Sequence, residues 1–248
     1  MEKILLVTGA SRGIGAAVAL QAAAQGWSLA VNYAKDAKAA EAVVRRAKEL
    51  GVRAIAMQAD VADEAQVLRM FQRIDAKLGR LDALVNNAGV VDLPSRVEAM
   101  SFARLRRMFD INVLGSMVCA REAVLRMSTR HGGKGGSVVN LSSAAARIGS
   151  PGQYVDYASA KGAIDTFTMG LAKEVATEGI RVNAVRPGII ETDIHASGGQ
   201  PNRAKEAAPM VPMQRAGSAD EVAQAVMWLL SDASSYTTGA VIDVTGGR

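Results

Sequence analysis

Two tyrosines and a lysine stand close together in the stretch "GQYVDYASAKGA", residues 152–163. Tyr157 precedes Lys161 by four residues and Tyr154 precedes it by seven, so on a helix all three share one face. A tyrosine beside an ammonium group can give a proton to a carbonyl oxygen, or take one from an alcohol. Tyr157 would lie one turn, about 6 Å, from the lysine and Tyr154 two turns away. The separation favours Tyr157 as the acid/base, with Tyr154 packing in a pocket or loop.

A glycine-rich turn follows the first predicted strand in "LLVTGASRGIGAAVA", with the spacing Gly-x-x-x-Gly-x-Gly. A turn of this kind between a strand and a helix lets a pyrophosphate approach the backbone N–H groups at the helix N-terminus. The sequence therefore predicts a dinucleotide site. The expected contacts in this turn are Gly9, Ser11, Arg12, Gly13, Ile14 and Gly15.

The end of the second predicted strand bears on the choice of cofactor. NAD sites commonly place an acid there to bind the ribose 2′-hydroxyl. This strand ends at Asn32 and Tyr33, which we expect to contact the cofactor, and the first acid, Asp36, comes later than that position. Arg12 could pair with a 2′-phosphate. The pattern favours NADP(H), with NAD(H) as the alternative.

Composition narrows the class of protein. The chain has 248 residues, 49% of them apolar, which is enough for a large core. Its one cysteine, Cys119, rules out an internal disulfide framework and suits a reducing compartment. We see no signal-peptide pattern and no apolar run near the roughly 20 residues that cross a membrane, so we expect a cytoplasmic protein without membrane contact.

The distribution of charged residues and of potential metal ligands argues against a nucleic-acid-binding protein and against a metalloprotein. The net charge is +5, but basic residues are scattered among acidic ones and no aromatic residues interleave with them, so we expect no nucleic-acid partner. The positive balance would instead attract anionic ligands. No metal site is predicted. Of the two histidines, His131 in a glycine-rich loop is expected to be inert, and contact between His195 and the substrate is left open.

Short apolar runs alternate with longer amphipathic segments along the whole chain. This alternation predicts an α/β protein with a single Rossmann-type, doubly wound parallel sheet of about seven strands and helices on both faces. One domain is expected over residues 1–248, and the irregular segment 191–215 is predicted to be a substrate-binding loop or lid. Helix starts are predicted at Asp63, with Gln66, and at Ser218, with Glu221. The predicted strands are 4–8, 28–33, 53–60, 81–88, 137–143, 181–187 and 240–245.

Short motifs follow one another in a fixed order along the chain: "TGASRGIG" (8–15), Asp60-Val61, "NNAG" (86–89), Ile111-Asn112, "LSS" (141–143), Tyr157-x-x-x-Lys161 and "RPGIIET" (186–192). In these motifs the chain resembles the classical short-chain dehydrogenase/reductase family, and the resemblance covers essentially its whole length. Within that family the pattern is similar to bacterial sugar-dehydrogenase-like and 3-oxoacyl-carrier-reductase-like members. The resemblance implies a homotetramer, or else a dimer, with the helical region 101–129 and the Tyr157 helix at the main interface.

The resemblance also implies site roles. Tyr157 matches the proton donor, Lys161 the lysine that binds the nicotinamide ribose and lowers the tyrosine pKa, and Ser143 the hydroxyl that holds the substrate oxygen. Asn112 matches the residue that positions a water in a proton relay. The remaining expected cofactor contacts are Asp60, Val61, Asn87, Ala88 and Gly89 on the adenosine side and Pro187, Gly188, Ile190 and Thr192 at the nicotinamide end.

One departure affects the serine. In much of the family it precedes the tyrosine by 13 residues, a position that Ala144 occupies here, whereas Ser143 precedes Tyr157 by 14. The loop before Tyr157 therefore carries one extra residue. Ser143 keeps its place after the strand and is assigned the role, with Ser142 as the alternative.

The function predicted from these features is an NAD(P)(H)-dependent oxidoreductase, with NADP(H) favoured, that interconverts a small carbonyl compound and a secondary alcohol. The alternative is a nucleotide-binding scaffold or sensor without turnover. The sequence does not name the substrate.

Overall fold

Seven strands form one parallel sheet in the computed structural model, which describes residues 2–248 apart from the side chains of His195 and Ser197. Their order across the sheet is β3-β2-β1-β4-β5-β6-β7, and every neighbouring pair is parallel. This confirms the predicted doubly wound sheet. The strands are β1 (Ile4–Val7), β2 (Ser28–Tyr33), β3 (Ala54–Gln58), β4 (Ala83–Asn86), β5 (Gly136–Leu141), β6 (Ile180–Pro187) and β7 (Val241–Val244).

Helices connect the strands and cover both faces of the sheet. They are α1 (Gly13–Ala24), α2 (Ala37–Glu49), α3 (Glu64–Lys77), α4 (Phe102–Phe109), α5 (Gly115–Met127), α6 (Ala145–Ile148), α7 (Val155–Val175), α8 (Ile194–Ser197), α9 (Arg203–Ala207) and α10 (Ala219–Leu230). A π-helical turn, Asp110–Leu114, joins α4 to α5. Single 3-10 turns occupy Val97–Ala99, Thr129–His131, Ala176–Glu178, Ala208–Met210 and Asp232–Ser234. Within residues 2–248, no helix combines the length and the apolar character that crossing a membrane requires.

The two faces of the sheet carry separate apolar cores because successive strand residues point to opposite sides. In β1, Leu5 and Val7 pack with α1, α2 and α10. Their neighbours Ile4 and Leu6 pack with α3, α5 and α7. Burial of each such side chain stabilises the fold by about 2 kcal/mol relative to exposure. The continuous apolar runs of the sequence are thus explained by strands covered on both faces.

Both predicted helix starts are confirmed. The Asp63 carboxylate accepts a 3.1 Å hydrogen bond from the backbone N–H of Gln66, whose side chain donates back at 2.8 Å. Ser218 and Glu221 form a reciprocal capping box at the start of α10, with bonds of 3.2 and 2.8 Å. Each cap satisfies backbone N–H groups that have no partner within the first turn of a helix.

The segment 191–215, here called the lid segment, is less irregular than the sequence suggests. It contains α8, α9 and the 3-10 turn Ala208–Met210. Ala207 and Val211 pack with Ile189 in a small apolar cluster of their own, separate from the two cores of the sheet. The side chain of His195, whose contact with substrate was left open, lies outside the described residues.

Candidate active site

The sheet order creates a crevice between β1 and β4. The chain passes from β1 to β2 toward one edge of the sheet and from β4 to β5 toward the opposite edge. The space above the carboxyl ends of β1 and β4 therefore stays open. A cleft of about 460 Å³ lies there. The predicted site residues that line it are Ile14, Asn87, Gly89, Ser143, Tyr157, Lys161, Pro187, Gly188, Ile190 and Thr192.

The other predicted site residues lie outside the lining of this cleft. Asn32 is the clearest case, because its buried amide donates 3.1 and 3.0 Å hydrogen bonds to the carbonyls of Met57 and Ala59. Its Oδ1 accepts a 3.1 Å bond from the N–H of Gly9, so Asn32 positions the glycine turn. The predicted residues outside the lining are Gly9, Ser11, Arg12, Gly13, Gly15, Asn32, Tyr33, Asp60, Val61, Ala88 and Asn112.

The glycine turn is held against the end of β4. Asn87 donates from Nδ2 to the carbonyls of Thr8 and Gly9 at 2.8 and 3.0 Å. Gly9 has a φ of 61°, and a Cβ on it would lie 2.9 Å from the Cα of Ala88. Only glycine fits both the left-handed backbone and this close approach. Ile14, in the first turn of α1, lines the cleft, so the N-terminus of this helix borders the place where a dinucleotide would bind.

Tyr154 and Tyr157 differ in their relation to α7. The helix begins at Val155, so Tyr154 is its N-cap residue, with φ −144°, and not a member of the helical face that the sequence predicts. Tyr157 is inside the first turn. The neighbouring Asp156 carboxylate is buried and accepts a 2.8 Å hydrogen bond from Nε of Arg104 on α4. This ion pair fixes the start of α7 and thereby the position of Tyr157.

The Ser143 hydroxyl lies close enough to the phenol of Tyr157 to influence its pKa. Ser142 is engaged elsewhere, because its hydroxyl donates a 3.2 Å bond to the backbone carbonyl of Lys161. The geometry therefore favours Ser143 over Ser142 despite the extra residue in the loop. Burial raises the pKa of Tyr157 to about 12, while the nearby Ser143 hydroxyl acts in the opposite direction. The phenol is consequently neutral at pH 7.

Lys161 is buried beside Tyr157. Its Nζ donates a 2.7 Å hydrogen bond to the carbonyl of Leu141 and lies 5.6 Å from the centroid of the Tyr157 ring. Burial lowers the pKa of Lys161 to about 8, and Asp165 raises it. The sequence predicts that the positive charges of Lys161 and of an oxidised nicotinamide ring together lower the pKa of Tyr157. That lowering stays a prediction.

Asn112 lies in the π-helical turn between α4 and α5. Its amide donates 3.0 Å bonds to the carbonyls of Val90 and Met108 and accepts a 3.2 Å bond from the N–H of Val90. A Cβ on Gly89 would lie 2.8 Å from Oδ1 of Asn112 and 3.6 Å from Nζ of Lys161. Both side chains thus lie close to Gly89, and a side chain at this position would crowd them. π turns of this kind occur often at functional sites, and no sequence pattern predicted this one.

An acidic and basic network behind Lys161 was also missed. Asp165 accepts 2.9 and 2.8 Å hydrogen bonds from Arg186 through one oxygen, Oδ2. Its buried Oδ1 has no hydrogen-bond partner in the described part of the chain. Arg186 also lies 3.5 Å from Asp243. The signal that could have found Asp165 is its place four residues after Lys161 on the same helix face.

Two side chains set aside in the sequence lie away from the chemistry. Cys119 is fully buried in α5, and burial raises the pKa of its thiol to about 12. His131 is exposed in the 3-10 turn that follows α5. Neither lines the cleft.

Comparison with known proteins places this site in a family. The family model described as "Enoyl-(Acyl carrier protein) reductase" matches residues 9–248. The oxidoreductase YgfF of Escherichia coli is 53% identical over 245 residues, which cover 99% of each chain. The chain belongs to the short-chain dehydrogenase/reductase family. It is accordingly an oxidoreductase.

Other members of the short-chain dehydrogenase/reductase family are similar over the same length. The 3-oxoacyl-[acyl-carrier-protein] reductase FabG of Staphylococcus aureus is 38% identical over 249 residues, covering 100% of this chain and 98% of that protein. The crystal structure of acetoin dehydrogenase YohF from Salmonella typhimurium superposes with a TM-score of 0.89 at 34% identity, covering 100% of this chain and 97% of that one. The fold is therefore that of the family.

Proposed function

We propose that this enzyme interconverts a ketone and a secondary alcohol with NAD(P)(H), with Tyr157 as the acid/base. The observation that carries the proposal is the convergence of Ser143, Tyr157 and Lys161 on one cleft beside the glycine turn. Two relatives named for reactions of this type, the 3-oxoacyl reductase and the acetoin dehydrogenase, support it. A buried, neutral phenol suits proton donation to a carbonyl oxygen.

In the reduction, the hydroxyls of Ser143 and Tyr157 hold the substrate oxygen and orient the carbonyl carbon. NAD(P)H supplies the hydride when it is bound. The proton of Tyr157 moves to the substrate oxygen as negative charge develops there. The ammonium of Lys161, 5.6 Å from the ring centroid, stabilises the resulting phenolate. Asn112 holds a water that returns a proton through Lys161.

The chain's own residues fit a dinucleotide at this cleft. The glycine turn and the N-terminus of α1 would hold the pyrophosphate, and Asn87 with Gly89 would line the adenosine side. Pro187, Gly188, Ile190 and Thr192 would hold the nicotinamide end. One of the three N–H donors of Lys161 binds the carbonyl of Leu141, and the other two could donate to the ribose hydroxyls.

NADP(H) is the proposed cofactor. The first acid after β2 is Asp36, and its carboxylate caps α2 by accepting a 2.9 Å hydrogen bond from the N–H of Ala39. It is thus engaged at the helix start and not at the strand end where an acid would repel a 2′-phosphate. Arg12, the exposed N-cap residue of α1, would supply the cation for the 2′-phosphate.

The proposal is tested by oxidation of NADPH and NADH over a panel of ketones, with the reverse reaction on secondary alcohols and sugars. We expect turnover with NADPH and at least about 100-fold less in Tyr157→Phe. Normal turnover in Tyr157→Phe would refute the role of Tyr157. Tight binding of NADPH with no turnover on any member of the panel would favour a scaffold or sensor.

We also propose a homotetramer, with a dimer as the alternative. Large apolar side chains on α4, α5 and the turn between them are exposed, among them Phe102 (77%), Leu114 (52%) and Leu125 (47%). Met169 on the Tyr157 helix is 45% exposed. Light scattering should give four times the chain mass of 25.9 kDa. A monomeric mass would contradict both assemblies.

A further inference from the structure

The cleft continues past Tyr157 to a second group of polar side chains. Tyr154 at the start of α7 and Arg203 at the start of α9 both line it. Gln200, also in the lid segment, contacts both of them. We call Tyr154, Gln200 and Arg203 the lid cluster. No part of the acid/base chemistry at Tyr157 uses it.

Two contacts hold the guanidinium of Arg203, and a third joins the two residues that it contacts. It lies 5.1 Å from the centroid of the Tyr154 ring. Its Nη1 donates to Oε1 of Gln200, and the Tyr154 hydroxyl donates a 2.7 Å hydrogen bond to the same oxygen. Tyr154 is only 6% exposed, so the surface against which Arg203 stacks is itself held firmly. A guanidinium held this way keeps the planar fork that recognises carboxylates and phosphates.

Several arginines that are partly shielded from solvent pair with a carboxylate, whereas in the described part of the chain Arg203, like Arg181 and Arg248, does not. Arg104, Arg126 and Arg186 each pair with at least one carboxylate. Among the ion pairs formed within residues 2–248, none involves Arg203. The cleft itself does not supply the missing charge, because none of the described residues that line it has an acidic side chain and Arg248 adds a second guanidinium to the lining.

We propose that Arg203 binds an anionic group of the substrate, so that the enzyme acts on ketones or alcohols that also carry a carboxylate or a phosphate. The inference rests on the proposed function, because it places the reacting carbonyl at Ser143 and Tyr157 and the anion at the lid cluster. An anion there supplies the counter-charge that the protein lacks, in a cleft walled by apolar residues such as Ile148 and Ile194. Substrate binding would also secure the lid segment over the cleft.

The test compares matched substrates that differ only in the charge. One arm uses oxo acids with two to four carbons between the ketone and the carboxylate, each against its methyl ester. A second arm uses dihydroxyacetone phosphate against dihydroxyacetone. We expect kcat/KM to favour the charged member of one pair by about tenfold or more. The arm that shows the preference distinguishes carboxylate from phosphate, and no preference in either arm would overturn the inference.

Variants assign that preference to Arg203. Arg203→Met keeps an apolar stem over Tyr154 without the charge, and Arg203→Lys keeps the charge without the fork. We expect Arg203→Met to remove the preference for the charged substrate, with the neutral partner changed less than about twofold. Arg203→Lys should retain part of it. Lys205→Met is the matched control, because Lys205 is an exposed cation on the same helix and does not line the cleft.

A binding measurement separates this inference from the proposed function. Calorimetry with the NADPH-loaded Tyr157→Phe variant should show binding of the charged substrate. In the double variant Tyr157→Phe/Arg203→Met, the affinity for that substrate should be about tenfold weaker, while the affinity for NADPH should be unchanged. Binding through Arg203 without turnover in the wild type would sustain the anion site and refute the oxidoreductase proposal for these substrates. If the enzyme turns over neutral ketones and Arg203→Met leaves the ratio of kcat/KM for charged and neutral substrates unchanged, the oxidoreductase proposal stands and the anion site is refuted.

Discussion

Asp165 lies one helical turn after Lys161 on α7 and raises the pKa of its ammonium group, which burial lowers to about 8. Lys161 is therefore charged below about pH 8 and loses its proton above it. Since the proposed reduction needs the charged ammonium, kcat/KM for reduction should fall as the pH rises through this value.

Asp165→Asn removes the charge that opposes the effect of burial. The pKa of Lys161 should then fall further, and the high-pH decline of kcat/KM should move to lower pH. Asp243→Asn is the matched control, because Asp243 contacts Arg186 but does not shift the pKa of Lys161. A pH profile that is identical in Asp165→Asn and the wild type would show that the decline belongs to another group.

Tyr157→Phe and Tyr154→Phe should have different effects. Loss of the Tyr157 hydroxyl removes the proton donor and should lower kcat by about 100-fold or more. Tyr154→Phe keeps the ring beneath Arg203 but loses the hydrogen bond to Gln200, so it should mainly raise KM for the substrate. Steady-state kinetics separates the two parameters, and equal losses of kcat in both variants would show that the assignment of the acid/base is wrong.

Arg12→Ala should weaken the binding of NADPH and leave the binding of NADH nearly unchanged. A charge-assisted contact with the 2′-phosphate is worth about 1.5–3 kcal/mol, which corresponds to a rise of roughly tenfold or more in KM for NADPH. KM for NADH should change by less than about twofold, since it has no phosphate at that position. Arg45→Ala, which removes an exposed cation from α2, serves as the control. An equal rise for both cofactors would place Arg12 on the pyrophosphate instead.

The Arg104–Asp156 ion pair should matter for stability. Its two side chains are only 11% and 0% exposed, so Arg104→Met leaves a buried carboxylate without its counter-ion. We expect a loss of about 3 kcal/mol or more in the free energy of unfolding, measured with urea. The double variant Arg104→Met/Asp156→Asn should recover part of it, because no unpaired charge remains. A double variant less stable than Arg104→Met would contradict this account.

The sheet and the helix starts were predictable because they follow from local signals. An apolar run such as residues 137–141 indicates a buried strand whatever surrounds it. Ser218 followed by Glu221 specifies a helix start within four residues. The four proposed catalytic positions were found in the same way, from short motifs in a fixed order along the chain.

The features that were missed depend on contacts between distant parts of the chain. Arg186 meets Asp165 across 21 residues, and Tyr154 meets Gln200 across 46. Tyr154 itself was placed on a helical face because its spacing from Lys161 fits one, yet the helix starts one residue later. The spacing of residues in a sequence cannot show where a first turn begins when no capping side chain marks it, and none does at Tyr154.

The π-helical turn Asp110–Leu114 sets the rotational phase between two helices. One additional residue in a helical path turns everything before it by roughly 100° relative to everything after it. Here α5 keeps Cys119 in the core while α4 presents Arg104 to Asp156. A chain shortened by one residue in this turn could keep either helix in its present orientation, but not both. The π-helical turn that contains Asn112 thus allows α5 to pack in the core while α4 contacts the helix that carries Tyr157.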